Sequence, residues 1–248
     1  MRQDVITLQN FYASRLGQVA AGSLSGRIAG LWGRELERER VLGIGFATPL
    51  LERLGERAEV CVAAMPAAQG ALSWSATAKG KSTVLCEEDR LPFREGVFSR
   101  VVMLHGLEEA YAPAQTLREI WRVMAPEGKL IVIAANRLGL WARAESTPFG
   151  HGRPWTRGQL SRLLGETQFQ TTAWTYGLHM PPTGWGPVLA LHEGWEKTGE
   201  TVSRVMGGAV MVEATKRLYV EPDGKKLTFS PVTAVRAQKG LAGNARKG

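Results

Sequence analysis

Metal and disulfide frameworks are what this 248-residue chain most plainly lacks: it has two cysteines and four histidines, and no group of them has metal-ligand spacing. Cys61 and Cys86 both fall in segments that read as buried strands, so buried free thiols in a reducing compartment are expected. Long apolar runs are missing too. The longest candidate, residues 130–135, is far short of the roughly 20 residues of a membrane helix, and no membrane span is expected. The amino terminus carries Asp4, Gln9 and Asn10 where a signal peptide would be uniformly apolar. The chain therefore reads as soluble and cytoplasmic.

Acidic charge is in deficit. Lysine and arginine number 31 against 23 carboxylates, a net charge of +8. Six basic residues (Lys225, Lys226, Arg236, Lys239, Arg246 and Lys247) face only Glu221 and Asp223 in the last 28 residues, so half of the excess sits there. That stretch has no sustained apolar period and reads as a flexible basic tail over residues 221–248. It could touch nucleic acid or anionic lipid, or simply be solvated.

What is present is an alternation of short apolar runs with helical spacing. Residues 1–36 read as a helical cover: apolar positions recur at Val5, Leu8, Phe11, Tyr12, Leu16, Val19, Leu24, Ile28 and Leu31, Asp4 is a plausible N-cap, and Gly17, Gly22 and Gly26 suggest two helices. Residues 37–220 form the main domain. Strands are expected over 41–45, 58–63, 82–86, 100–105 and 129–134, with helices starting at the Thr48-Pro49 pair and over 117–124. Thr156 should cap a further helix, and 169–176 and 209–219 read as two closing strands around a segment that is helical from about Val188. Strands alternating with helices imply a parallel sheet with right-handed crossovers.

Two blocks narrow this further. Glu87-Glu88-Asp89-Arg90-Leu91-Pro92-Phe93 precedes Phe98 and the strand ending at His105; Leu117-Arg118-Glu119-Ile120-Trp121-Arg122-Val123-Met124-Ala125-Pro126-Glu127-Gly128 precedes the next. Together they resemble the class I S-adenosylmethionine (SAM) dependent methyltransferases, type 11, over roughly residues 38–180. The resemblance implies an α/β, Rossmann-like fold: a mostly parallel seven-stranded sheet with helices on both faces. It also implies SAM as cofactor and methyl transfer to a small-molecule acceptor.

The family's loop after strand one is acidic-x-Gly-x-Gly-x-Gly. Here it stands as Gly43-x-Gly45-x-Ala47-x-Pro49, so one motif glycine, Gly45, survives and the acid is replaced by Gly43. The resemblance places Gly43, Gly45 and Ala47 against the cofactor. The acid that grips the ribose at the end of strand two is absent from residues 62–66, where Met65 could pack on sugar or adenine. Glu87 matches the residue that meets the adenine amino group, with Glu88 beside it. A dinucleotide-binding dehydrogenase is disfavoured, because Gly43-x-Gly45-x-x-Thr48 lacks the third glycine and no acid ends strand two.

His105 closes strand four, which in the family faces the transferable methyl group, and is the candidate base; it could equally cap the strand and bond Glu108. His151, Arg153 and Trp155 lie in the loop after strand five, where acceptors are recognised, and five of the eight tryptophans fall between 141 and 195. They either line an apolar pocket or cover a sheet face. With two family carboxylates gone, an inactive scaffold that serves as a binding or assembly protein stands as the alternative reading, and an altered cofactor as a third.

Overall fold

The computed structural model describes residues 2–33, 36–54, 58–74, 81–202 and 204–216. They fall in the unit Met1–Leu218, and the basic stretch from 221 onward lies outside the described residues.

Seven apolar runs become strands: β1 (Arg40–Gly45), β2 (Val60–Pro66), β3 (Lys81–Cys86), β4 (Phe98–Leu104), β5 (Met124–Ala135), β6 (Phe169–Gly177) and β7 (Ala209–Lys216). They form one sheet in the order β3-β2-β1-β4-β5-β7-β6. β1 to β5 pair in parallel, whereas β7 runs antiparallel to both β5 and β6. The sheet is thus mostly parallel, with β7 as its reversed member.

Period-two side-chain alternation divides the core into two layers. Val41, Ala63, Val102 and Ile131 join the cluster on one face with Leu8, Leu24, Ile28 and Leu50. These come from α1 (Val5–Ala13), α2 (Arg15–Trp32) and α3 (Thr48–Leu54). Leu42, Val101 and Val132 face the other way, onto Leu117, Ile120, Leu160 and Leu164 of α4 (Pro113–Val123) and α5 (Arg157–Glu166). Two short helices, α6 (Gly186–Ala190) and α7 (His192–Val202), precede β7. No helix of the described residues is long and apolar enough to cross a membrane.

Local chemistry explains where elements begin. Asp4 caps α1, accepting from the Ile6 and Thr7 N–H groups at 3.0 and 2.9 Å. Thr156 and Gln159 close a reciprocal capping box on α5. The break between α1 and α2 lies at Ser14 rather than at a glycine: its Oγ donates to Phe11 O at 2.6 Å and accepts from Gly17 N–H at 3.1 Å. Gly17 has a different task, since a Cβ there would collide with the Phe11 carbonyl.

Three expectations shift. β5 starts at Met124, not 129, because the Pro126-Glu127-Gly128 turn, with Glu127 at φ 58°, is a kink inside the strand. β2 runs later than expected, to Pro66. Cys86 is only half-buried, since β3 is the sheet edge; both cysteines remain thiols.

The strand order reverses between β1 and β4, so the carboxyl ends of β2, β1 and β4 surround the crevice where such sheets bind ligands. Gly45 turns the chain out of β1 with φ 78°. Phe46 N–H then donates to Leu104 O at 2.8 Å, and a Cβ on Gly45 would strike that same carbonyl. Gly96 also has positive φ (70°) but open space around it. Gly96→Ala should therefore cost only the left-handed penalty, about 1–2 kcal/mol, and Gly45→Ala at least twice that. Thermal melting reads the difference, at roughly 2–4 °C per kcal/mol for a unit of this size; equal losses would refute the contact.

Candidate functional site

Three strand ends build the site. After β4 the backbone enters the left-handed region at His105, φ 51°, a conformation that a non-glycine residue adopts only where its surroundings hold it. Gln69 Nε2 donates to the His105 carbonyl at 3.4 Å. The imidazole turns under α1, with its Nε2 2.7 Å from Tyr12 Oη and its ring against Phe149 at 4.7 Å. Tyr12 in turn lies on Phe46, centroids 5.8 Å apart. α1 is fastened over this rim by Val5 N–H to Gln69 O (2.9 Å), Gln3 N–H to the Glu109 carboxylate (3.0 and 3.1 Å) and the Arg2–Glu88 ion pair at 2.7 Å.

Burial sets the protonation states. Desolvation drops His105 to about 3, so the ring is neutral at every physiological pH. It lifts the Tyr12 hydroxyl well above its usual value, with the nearby Glu108 charge adding to the effect. The Tyr12–His105 bond therefore joins two neutral groups. Glu108 does not bond His105: its Oε1 accepts from Ala135 N–H at 2.9 Å, and its Oε2 has no protein donor. Desolvation outweighs that bond and pushes its carboxyl up to about 7. Gln69 Oε1, on a side chain 2% exposed, is likewise buried with no donor. Two acceptor oxygens without donors at one rim are an exception to the rule that buried polar atoms are satisfied.

Three of the cofactor candidates line two separate cavities. Met65 lines one of about 360 Å³ at the ends of β1 and β2, with Gln9, Tyr12, Phe46, Thr48 and Glu52. Glu87 and Glu88 line another of about 350 Å³ at the end of β3, with Arg2 and Tyr111. Gly43 and Ala47 are buried against α3: a Cβ on Gly43 would come within 2.6 Å of Leu51 Cδ1 and 2.8 Å of Ala47 Cβ. The position has no room for a carboxylate. Of the acceptor-loop residues, His151 lines a further cavity of about 660 Å³, between α1 (Thr7, Phe11) and residues 145–148, with Pro182 and Gly184. Arg153 instead stacks over Trp155 at 4.7 Å. None of the five tryptophans lines that cavity; Trp141 and Trp155 are core, and Trp185 and Trp195 are exposed.

Tyr12, Gln69 and Glu108 are the site residues that the sequence reading missed. Tyr12 carried only a helical apolar period, Gln69 no signal, and Glu108 only its place beside His105. Among the described residues no group of His, Cys, Asp or Glu could hold a metal ion.

The sequence pattern of the family described as "Methyltransferase domain" matches residues 21–132. A ubiquinone/menaquinone biosynthesis C-methyltransferase, UbiE of Bordetella parapertussis, is 38% identical over 56 residues, 23% of this chain and 22% of the relative. The highly reducing polyketide synthase acrA of Aspergillus aculeatus is 27% identical over 96% of this chain but only 10% of its own length. The chain thus spans a tenth to about a fifth of these relatives. Among solved structures, a SAM-dependent methyltransferase of Thermotoga maritima, a possible histamine N-methyltransferase, superposes with TM-score 0.61 at 16% identity, covering 84% of this chain and 94% of that one. A chain from a Haloferax volcanii complex with the Trm112 methyltransferase activator gives 0.62 at 14%, covering 88% and 100%. At such identities the likeness is one of fold.

His105 and Glu108 make opposite contributions to the pH dependence of stability. His105, lowered from 6.5 to about 3, stabilises fully above pH 6.5 and loses that as pH falls toward 3. Glu108, raised from 4.5 to about 7, contributes stability below 4.5 that is lost as pH rises to 7. Between 4.5 and 6.5 the two slopes, each up to about 1.4 kcal/mol per pH unit, oppose. Glu108→Gln should therefore lose stability as pH drops below 6.5, and His105→Asn should lose it as pH rises from 4.5 to 7. Denaturant melts across this range check both; variants with the parent's profile would refute these burial shifts.

Proposed function

We propose that this chain, whose residues 21–132 match the sequence pattern of a methyltransferase domain, transfers a methyl group from SAM to a small, apolar or aromatic acceptor. The family and the fold imply SAM as the cofactor. When bound it supplies an electrophilic methyl on a sulfonium. The residues present fit such a group, although not by the family's usual carboxylates.

Gly45 lets the backbone approach closely without a side chain in the way. Gln69, three residues beyond β2, offers its unpaired Oε1 to a ribose hydroxyl where the family's acid is missing. Glu52, on α3 beside the cavity at the β1 end, offers a carboxylate to the ammonium that position 43 cannot reach. Met65 packs beneath, and Glu87 with Glu88 stands at the adenine end.

The acceptor's place is the 660 Å³ cavity on the other side of α1, within the size range of small-molecule sites and lined in part by Phe11, Leu16, Pro148 and Pro182. Phe11 packs edge-on against Tyr12, 5.0 Å between centroids, so the cavity adjoins the Tyr12–His105 pair. His105 orients Tyr12 rather than taking a proton, because a base with pKa about 3 takes one weakly. Glu108 lines neither cavity; its buried Oε2, which has no protein donor, is the group we assign to take a proton from an acceptor that must lose one, its carboxyl being raised to about 7 by burial.

The observation that carries this reading is the pair of donorless buried oxygens, Gln69 Oε1 and Glu108 Oε2, at a switch-point rim. Calorimetry with SAM tests it, with thermal melts alongside. Ligand at 100 times its Kd adds about 2.7 kcal/mol, on the order of 5–10 °C here. Glu52→Ala and Gln69→Ala should each weaken SAM by roughly tenfold or more, with the fold intact. No heat and no shift at millimolar SAM would overturn the reading; unchanged affinity in either variant would remove that residue from it.

A further inference from the structure

Ten large hydrophobic side chains are exposed among the described residues, and seven lie on two segments: Leu138 and Leu140, and then Trp185, Leu191, Trp195, Val205 and Met206. Four of these are held side by side. Asn136, itself buried, donates through Nδ2 to Val205 O at 2.8 Å and to Gly207 O at 2.7 Å, and its Oδ1 accepts from Leu138 N–H at 3.3 Å. Gly139 lies so close to Gly207 and Gly208 that no Cβ would fit, and Trp141 is fully buried with its Nε1–H on Met180 O at 2.8 Å. Residues 139 and 141 thus take the inward positions, which forces Leu138 and Leu140 outward beside Val205 and Met206; each of the four is more than half exposed.

The charges on this loop are mainly basic. Arg137 and Arg143 are exposed on the same loop; Arg153 is exposed on the segment that pairs with it, through Arg137 N–H to Trp155 O at 3.0 Å. No carboxylate forms an ion pair with any of the three among the described residues, and Glu145 is the acid of that loop. The same loop continues into residues 145–148, the lip of the 660 Å³ cavity. An apolar patch flanked by exposed arginines suits an interface that is apolar inside and anionic at its surface.

We propose that the face formed by Leu138, Leu140, Val205 and Met206 with Arg137 and Arg143 seats this protein on an anionic lipid surface, with the large cavity opening at its edge. This is independent of whether SAM binds, so the two ideas fail separately.

Co-sedimentation of the full chain with phosphatidylcholine vesicles containing about a third phosphatidylglycerol tests it, against phosphatidylcholine alone. The full chain should pellet with the anionic vesicles. Leu138→Asp combined with Leu140→Asp should weaken that by about tenfold or more, and so should Met206→Asp, with melting temperatures unchanged. Arg137→Glu with Arg143→Glu should lose roughly fivefold per charge removed, or more. Because the residues from 221 onward are also basic, binding that survives the leucine and methionine variants would overturn the proposal. So would a dimer in solution that the same variants dissociate while vesicle binding is absent, since a second copy would then cover the patch.

Discussion

One backbone contact fixes the geometry on which the site depends: the turn out of β1 presses against the end of β4. Phe46 N–H on Leu104 O, with Gly45 too close for a side chain, brings the two strand ends together at the switch point. From that closeness follow the burial of Phe46, the platform on which Tyr12 rests and the sharp turn at His105. The same economy of space operates one turn earlier, where Gly43 admits Leu51 and Ala47. Gly43, where the resemblance implies a carboxylate, is a packing residue, and a carboxylate for a ligand would have to come from elsewhere on the rim.

Burial then decides the chemistry. In water an imidazole and a phenol beside each other would present a titrating pair; under α1 both stay neutral, and the titrating group near pH 7 becomes a carboxyl. Electrostatic roles at this rim are therefore the reverse of those that residue types alone suggest.

The layered fold was legible in the sequence because it is written in short-range patterns. Val41-Leu42 alternation, the Thr48-Pro49 start and the Leu117 to Val123 period each specify an element with few neighbours. Boundaries slipped where a single side chain or a pairing decided them: Ser14 Oγ ends α1 and caps α2, and β5 absorbs the Pro126-Gly128 turn because Met124 already pairs with Phe98. The site was legible only in part. The absent acid at Gly43 could be seen, but not that Leu51 fills its space. Tyr12 reaches His105 across 93 residues, and Gln69 reaches the same residue's carbonyl across 36, distances over which periodicity carries no information.

The loop after β5 separates two kinds of selection. Asn136, Gly139 and Trp141 hold its path by bonds and contacts that the fold requires. Leu138 and Leu140 make little contribution to that path, and exposed substitutions of this kind change stability by only about half a kcal/mol. Their identity is thus free to drift with whatever surface the loop meets. Two related chains could keep the same backbone here and diverge in what they touch, changing address without refolding.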